Sequence, residues 1–315
     1  MSIQVLPIEC HFGPVRAYTY YIDGAEPVLI DTGVSASVLQ IEQALQQHNY
    51  QIENIRWILL THGHVDHLGG VKKILEKTNY KAKVVIPAID APLLTSVETH
   101  IQHYQELQAQ FVSEAYQIKH IEDLQKNISG GIKPDIVVQD HDVLTIYPGL
   151  SFTVYETPGH SLGSVSYLIN ETNWLFVADA VQIYGGELSG VPAVEYPNLY
   201  RESINKILYN IKPHRLYVGH PFRKSNGTVF SETIDGSEVQ LALQESLDMD
   251  NKLRSLMAEY GTITVPPENN DSLYGTFEPI AKKLNYTGDP RNMPCAFFVT
   301  MHSYLQTIEG EIQKL

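Results

Sequence analysis

A dense run of potential metal ligands lies between residues 61 and 67, in Thr61-His62-Gly63-His64-Val65-Asp66-His67. Imidazole nitrogens and carboxylate oxygens bind zinc, and also iron, manganese or nickel. His62 and His64 are two residues apart, so an extended loop can direct both side chains to one side. Asp66 and His67 then enter a predicted helix and can point to the other side of the loop tip. One short segment can therefore supply ligands to two metal ions about 3.5–4 Å apart.

Three further candidate ligands, His160, Asp179 and His220, stand at or just past the ends of apolar runs, as do Asp31 and His62. In a layered α/β fold the strand ends lie near one edge of the sheets, where loops hold reactive groups on a rigid frame. We therefore expect these residues to converge and the three distant ones to complete the ligand sets of both ions. A lone His-x-His pattern, by contrast, is more often a surface feature than a site.

The elements that must position these residues are predicted from short apolar, β-branched runs that end at turn or polar residues. The predicted strands cover residues 28–30, 57–60, 84–86, 152–155, 174–177 and 216–218. Helical patterns extend roughly over residues 35–47, 68–77 and 201–210. Strands that alternate with helices predict an α/β core.

Two helix-prone regions interrupt this alternation, one at about residues 89–127 and one from about residue 237 to the end. Apolar and aromatic residues recur in both near helical spacing. They are Leu93, Leu94, Tyr104, Leu107 and Phe111 in the first region, and Leu253, Leu256, Phe297 and Phe298 in the second. We predict a catalytic domain over residues 1–222, which carries the first region as an insert, and a helical extension over residues 223–315.

The composition, 43% hydrophobic and 18% charged over 315 residues, is typical of a globular protein with a substantial core. The formal net charge of −14 argues against nucleic acid as a partner. No apolar run is long enough to span a membrane, and the start of the sequence lacks a signal-peptide pattern. The two cysteines have no paired spacing, which favours a reducing compartment, so we expect a cytoplasmic protein.

The motifs resemble those of the metallo-β-lactamase superfamily over about residues 5 to 222. Its five motifs are matched in order by Asp31 in Leu29-Ile30-Asp31-Thr32-Gly33, the run from His62 to His67, His160 in Thr157-Pro158-Gly159-His160-Ser161, Asp179 and His220. Five separated motifs in the same order make the resemblance specific. It implies a four-layer αββα sandwich, here with a helical insert and a helical C-terminal extension.

The resemblance also implies two divalent metal ions, with Zn²⁺ expected and iron or manganese as alternatives. The first ion takes His62, His64 and His160, the second takes Asp66, His67 and His220, and Asp179 bridges them. Asp31 is expected to orient a ligating histidine or its loop rather than to bind metal. It also fits a turn-stabilising role in Asp31-Thr32-Gly33.

Two divalent cations lower the pKa of a shared water, so a metal-bridging hydroxide becomes available near neutral pH to attack a polarised carbonyl. We expect Asp66 to orient that hydroxide and later to carry a proton. The full His-x-His-x-Asp-His run with Asp179 resembles glyoxalase II-like thioesterases, acyl-homoserine lactonases and alkylquinolone-pathway thioesterases, which cleave an ester or thioester. The expected partner is therefore a small acyl substrate.

Other branches of the superfamily fit less well. Members that reduce oxygen or nitric oxide usually carry Glu at the position of His64 together with a flavin domain, and nucleases carry nucleic-acid-binding elements. Two alternatives remain open. One is a phosphodiesterase; the other is a metal-binding regulatory or partner-binding member with little turnover, whose helical extension would be a partner or homodimer surface.

Three residues near the predicted centre are further candidates. Tyr184 follows soon after Asp179, near the position of a tyrosine that assists the carbonyl in lactonases, but its spacing from Asp179 is not the same. It also fits an ordinary loop aromatic. His100 and His103 share a helical face of the insert and either approach substrate or lie solvated. We hypothesise that the insert and the extension cap the metal cleft as an apolar acyl pocket; alternatively, their apolar faces pack on the core or on a second subunit.

Overall fold

Two six-stranded sheets pack face to face in the computed structural model, which describes residues 3–187, 190–261 and 272–312. The first sheet has the order β1 Val5–Phe12, β2 Val15–Ile22, β3 Val28–Ile30, β4 Trp57–Leu59, β5 Lys83–Pro87 and β6 Ile136–Val138. The second, in reverse chain order, contains β7 Val143–Tyr147, β8 Leu150–Glu156, β9 Val165–Ile169, β10 Trp174–Ala178, β11 Arg215–Val218 and β12 Thr233–Asp235. Neighbouring strands are antiparallel, except for β3–β4, β4–β5, β5–β6 and β10–β11.

Strand burial follows from the position of each strand in the layers. In β8 burial alternates, with Leu150, Phe152 and Val154 buried, because successive side chains point to opposite faces of a strand. In β3 and β4 every residue is buried. These central parallel strands are covered on both faces, which is why they read as continuous apolar runs in the sequence.

Helices cover the outer faces of both sheets. On the first sheet, α1 Ser37–Gln47 and α3 Val71–Lys77 bury Ile41 and Ile74 against Ile58. On the second, α7 Pro197–Asn205 and α8 Ser237–Tyr260 bury Ile204 and Leu243. The architecture is the predicted four-layer αββα sandwich.

The insert is helical, as predicted, and so is most of the extension, although β12 near the start of the extension pairs with β11 in the second sheet. The insert forms α4 Ala91–Thr95, α5 Val97–Gln108 and α6 Glu114–Asn127, and the extension contains α8, α9 Glu278–Leu284 and α10 Ala296–Ile312. The two regions meet where the rings of Phe111 and Phe298 stack, with 5.4 Å between centroids. Residues 262–271 and 313–315 of the predicted extension lie outside the described residues. Among the described helices, none combines the length and apolar character that crossing a membrane requires.

The six predicted strands are all present, but two predicted helices differ from the observed ones. The helix predicted over residues 68–77 is divided into α2 Val65–Leu68 and α3. The break falls at Gly70, whose N–H donates to Gly33 O at 3.0 Å; a Cβ at Gly70 would lie 2.6 Å from Thr32 O. The helix predicted over residues 201–210 begins at Pro197 and continues past α7 as a π-helical turn, Lys206–Ile211.

Candidate metal centre

The structure brings the seven predicted ligands together where strands end and loops begin. His62 and His64 follow β4, Asp66 and His67 lie in α2, His160 follows β8, Asp179 follows β10, and His220 follows β11. We call these seven side chains the His/Asp cluster. Each strand is held in a packed sheet, so the loop that follows it starts from a fixed position.

The ligand atoms form two groups that share Asp179. Nitrogens of His62, His64 and His160 lie within 4.8 Å of one another, as do ligand atoms of Asp66, His67 and His220. The Asp179 Oδ2 atom is 3.4 Å from His160 Nε2 and 3.3 Å from His220 Nε2. One carboxylate therefore touches both groups, which is the position of a bridging ligand.

Several polar atoms of the His/Asp cluster point at one another rather than at hydrogen-bond partners. His62 Nε2, His67 Nε2 and Asp179 Oδ1 are buried and have no such partner within the described ranges. His64 Nδ1 and His160 Nε2 face each other at 2.8 Å. Buried polar atoms are normally partnered, and imidazole with carboxylate is a donor set that suits divalent transition metals. The residues present therefore fit a centre for divalent metal ions.

Asp31 lies behind the ligands and contacts residues of the ligand loop and of α2. It has a left-handed backbone, with φ 58°, and its Oδ1 accepts the Thr61 N–H at 2.9 Å. Its Oδ2 accepts the Thr61 hydroxyl and lies 2.8 Å from His67 Nδ1. Asp31 thus orients both a histidine and the loop of the first ligands, which is the role expected from the sequence.

Three other histidines have their outer ring nitrogen held in the same way. The Nδ1 atoms of His62, His160 and His220 lie next to Thr61 Oγ1, Ala193 O and Arg16 O, at 3.1, 2.8 and 2.6 Å. Such contacts fix the ring orientation and the tautomer of a metal-binding histidine. In each ring they leave Nε2 for the cluster.

Burial keeps three histidines neutral. It lowers the pKa of His64 and of His160 to about 4, and that of His62 well below its ordinary value. At His67 burial acts in the same direction, but nearby carboxylates, Asp31 foremost, raise the pKa to about 9. A metal ion at His67 must therefore displace a proton, so metal affinity falls as the pH is lowered.

Two residues of the insert fix the ligand loop: Asp90, which was not predicted, and Tyr104, which was predicted only as part of the apolar cap. Asp90 is 4% exposed, and its Oδ2 accepts the Gly63 N–H at 2.6 Å. The Tyr104 hydroxyl accepts the Val65 N–H at 3.3 Å. Asp90 stands three residues past the end of β5, so the strand-end pattern that indicated the ligands could have indicated it too.

Glu195 is a second residue that the sequence did not reveal. Its Oε1 lies 3.4 Å from His64 Nε2, and its side chain is 8% exposed. It sits in the loop between β10 and α7, without a strand directly before it. Neither its spacing nor its neighbours in the sequence distinguish it from a surface glutamate.

The two histidines of α5 have different surroundings. His100 is fully buried rather than solvated, lies 3.3 Å from Leu93 O through Nδ1 and stacks on Tyr104. His103 is half-buried, with its ring centroid 6.5 Å from that of His64. Only His103 therefore stands beside the cluster with part of its surface open.

Among the contacts of Tyr184 in the described structure, none is with the His/Asp cluster. It packs against the main core, and the carboxylates that raise its pKa, after burial, are Asp248 and Glu245 of α8. Its backbone N–H donates to Arg223 O at 3.3 Å. The catalytic role of Tyr184 stays a prediction, and these contacts give it no support.

Comparison with known proteins places this arrangement in a family. The model of the metallo-beta-lactamase superfamily matches residues 12–220. Among curated proteins, the chain is 32% identical over 174 residues to the uncharacterized protein YobT of Bacillus subtilis, covering 55% of this chain and 64% of the relative. It is 29% identical over 198 residues to a hydroxyacylglutathione hydrolase of Rhodopseudomonas palustris, covering 63% of this chain and 59% of the relative. The chain thus spans about three fifths of the length of these curated relatives.

A solved structure, that of a metallo-beta-lactamase family protein from Thermus thermophilus, superposes with a TM-score of 0.65. The superposition covers 98% of this chain and 93% of the other. Because the identity is 19%, the similarity supports the fold alone. The matched family model spans most of the chain and contains all five motifs. The chain belongs to the metallo-β-lactamase superfamily.

Proposed function

We propose that this protein is a hydrolase that binds two divalent metal ions, expected to be Zn²⁺, in the His/Asp cluster and cleaves an ester or thioester bond of a small acyl substrate. One observation carries the proposal: two groups of three ligand atoms, each within 4.8 Å, share the Asp179 carboxylate. Paired metal sites of this kind are used by hydrolytic enzymes to stabilise charge on oxygen.

The substrate class rests on the relatives. The matched region of the Rhodopseudomonas palustris protein belongs to a hydroxyacylglutathione hydrolase, and the family match over residues 12–220 includes the whole His/Asp cluster. A thioester or ester carbonyl is the bond that this site would then attack. The acidic chain, with a net charge of −14, disfavours a polyanionic substrate such as nucleic acid.

When bound, divalent metal ions supply Lewis acidity, which polarises a carbonyl and lowers the pKa of water. The chain itself holds the proton acceptor, Asp66. Burial alone would raise the pKa of Asp66, but His67 and His220 hold it well below its usual range. The side chain of Asp66 is 17% exposed, against 6% for Asp179. Asp66 is therefore ionised at neutral pH and is the more open of the two carboxylates to a proton from the reacting groups.

The position of the insert supports our proposal of an acyl pocket next to the His/Asp cluster. In α5, Tyr104 and His103 lie 5.6 Å and 6.5 Å from the His64 ring, between centroids. Leu93 of α4 reaches the ligand loop so closely that a Cβ at Gly63 would be 2.5 Å from its Cδ1. Phe111, by contrast, is 1% exposed and stacked on Phe298, so it supports the wall from behind rather than lining it.

The test combines metal analysis with substrate hydrolysis. Wild-type protein and Asp66→Ala are loaded with Zn²⁺ or Mn²⁺, and bound metal is counted by mass spectrometry. Both are then assayed with an S-acyl glutathione, an acyl lactone and an aryl phosphodiester. We expect two metal ions per wild-type chain and hydrolysis of an acyl compound that chelation stops and metal restores. At matched metal content, Asp66→Ala should lose most of this activity.

Other outcomes would exclude the proposal. Less than one bound metal ion per chain after loading would overturn the metal centre. Hydrolysis of the phosphodiester alone would identify a phosphodiesterase. Two bound ions without turnover of any substrate would favour a regulatory or partner-binding role.

A further inference from the structure

His64 presents its two ring nitrogens to different surroundings. Its Nδ1 faces His160 Nε2 at 2.8 Å inside the His/Asp cluster. Its Nε2 is buried, has no hydrogen-bond partner within the described residues, and lies 3.4 Å from Glu195 Oε1. His64 is thus turned relative to the other four histidines of the cluster, whose Nε2 atoms face inward.

The other four histidines show what the outer nitrogen of His64 requires. In those rings Nδ1 is held by a hydroxyl, a carboxylate or a backbone carbonyl at 2.6–3.1 Å. Histidines that bind metal generally donate their second N–H to such an acceptor. In the described structure, the acceptor beside Nε2 of His64 is the carboxylate of Glu195.

Glu195 is built into this position. Its backbone N–H donates to Gly159 O at 2.9 Å, next to the ligand His160. The preceding Val194 N–H donates to Thr300 Oγ1 of α10 at 2.9 Å. Within the described ranges no lysine or arginine forms an ion pair with Glu195, although its side chain is only 8% exposed. A carboxylate that is this well buried needs a partner nearby, and His64 and His103 both have a ring nitrogen within 4.8 Å of it. The His64 Nε2 atom lies 3.4 Å from Glu195 Oε1.

We propose that Glu195 is a positioning residue for the metal centre: its carboxylate accepts the Nε2–H of His64 and so leaves the lone pair of Nδ1 free for a metal ion. A neutral imidazole carries one N–H, so fixing that proton on Nε2 fixes the tautomer. The proposal rests on the proposed metal centre. It adds a carboxylate partner at His64 to the one that Asp31 provides at His67.

An alternative role for the Glu195 carboxylate is to bind a separate cation directly, together with His103. Ligand atoms of His64, His103 and Glu195 also lie within 4.8 Å of one another, which is compatible with a separate cation. That arrangement would take His64 through Nε2 and leave Glu195 as a direct ligand. The two uses differ in what His103 contributes, so substitution of His103 separates them.

The experiment measures metal binding directly. Wild-type protein, Glu195→Gln, Glu195→Ala and His103→Ala are titrated with Co²⁺ against a chromophoric chelator, and the visible spectrum of each cobalt protein is recorded. Glu202→Gln, an exposed change of equal charge on α7, is the matched control. Loss of an acceptor behind a ligating histidine costs about 10–100-fold in metal affinity. We expect that loss in Glu195→Ala, a smaller loss in Glu195→Gln, which keeps an oxygen acceptor, and a shifted cobalt spectrum in both.

The outcomes are distinct. Wild-type affinity and spectrum in folded Glu195→Ala would overturn the role of Glu195. A drop from three to two bound ions in both Glu195→Ala and His103→Ala would overturn it in favour of a separate cation site. An unchanged affinity in His103→Ala supports it. A wild-type protein that binds no cobalt would instead refute the metal centre itself.

Discussion

At the scale of single residues, the chemistry depends on which nitrogen of each histidine is left free. Asp31 lies 2.8 Å from His67 Nδ1, and Ala193 O lies 2.8 Å from His160 Nδ1. Such partners direct the remaining nitrogen into the His/Asp cluster and set its basicity. The centre is therefore prepared by residues that do not themselves reach the metal position.

Asp179 and Asp31 should differ in what their loss does. Asp179 touches histidines of both ligand groups, so Asp179→Ala should lose both metal ions. Asp31 holds His67 and Thr61 without facing the centre of the cluster. Asp31→Ala should keep the ions but weaken their affinity by about 10–100-fold. Metal counting by mass spectrometry after dialysis distinguishes the two; equal and complete metal loss in both variants would contradict this ranking.

Asp90 should make the stability of the metal-free protein depend on pH. Burial raises the pKa of Asp90 to about 7, from an ordinary value of 3.8. Between these values the folded protein keeps a proton that the unfolded chain has released, so the contribution of Asp90 to stability falls as the pH rises. Asp90→Asn cannot ionise and should gain stability relative to the wild type between pH 5 and pH 8. Urea unfolding across this range measures the difference, which would stay constant if Asp90 did not titrate there.

At the scale of elements, the C-terminal helix holds a loop that borders the candidate metal centre. The Thr300 hydroxyl of α10 donates to Pro192 O and accepts the Val194 N–H, both at 2.9 Å. The same loop carries Ala193, whose carbonyl holds His160, and Glu195. An element outside the matched family region, which ends at residue 220, thus fixes a loop that borders the ligands.

Thr300→Val should loosen this loop. Valine keeps the shape but leaves the Val194 N–H and the Pro192 carbonyl without their buried partner, which costs about 1–3 kcal/mol of stability. Metal affinity should fall as well, because the loop orients two cluster histidines. Thr300→Ser keeps the hydroxyl and is the control. Unchanged metal affinity in a folded but destabilised Thr300→Val would show that the helix supports the fold only.

At the scale of the whole molecule, three parts of the chain surround the site. The sandwich supplies the ligands, α5 of the insert places His103 beside His64, and α10 backs the insert through Phe298 and Phe111. A dinuclear site alone selects little, whereas a wall of side chains can sort substrates by shape. Specificity should therefore reside in parts that lie outside the sandwich.

His103→Trp should shift the preference for acyl-chain length toward shorter substrates. A bulky ring at this half-buried position would fill space beside the cluster, and one methylene in an apolar pocket changes specificity about tenfold or more. Rates with a series of acyl chains, at equal metal content, measure the shift. Gln102→Trp, on the exposed neighbour in α5, is the control. An unchanged chain-length preference in His103→Trp would mean that the insert does not line the pocket.

The sequence by itself indicated an α/β core and the candidate ligands, and the family resemblance carried by its motifs implied the sandwich. The central strands β3 and β4 are buried at every residue, so they appear in the sequence as apolar runs. The ends of such runs are easily located, and the polar residues at those ends can then be identified as candidate site residues. Six of the twelve described strands were not predicted: the edge strands β1, β6, β7 and β12, and the inner strands β2 and β9. Gly70 separates α2 from α3 through its bond to Gly33, which a helical pattern does not reveal.

Only the tertiary structure decided how the ligands are held. The carbonyl that orients His220 belongs to Arg16, 204 residues away, and that of His160 belongs to Ala193, 33 residues away. Glu195 reaches His64 through a loop tied to Thr300, and Tyr184 packs against the main core. Local sequence patterns report on periodic burial within one element, whereas these contacts join loops and backbone atoms from different elements. They exist only once the layers have packed.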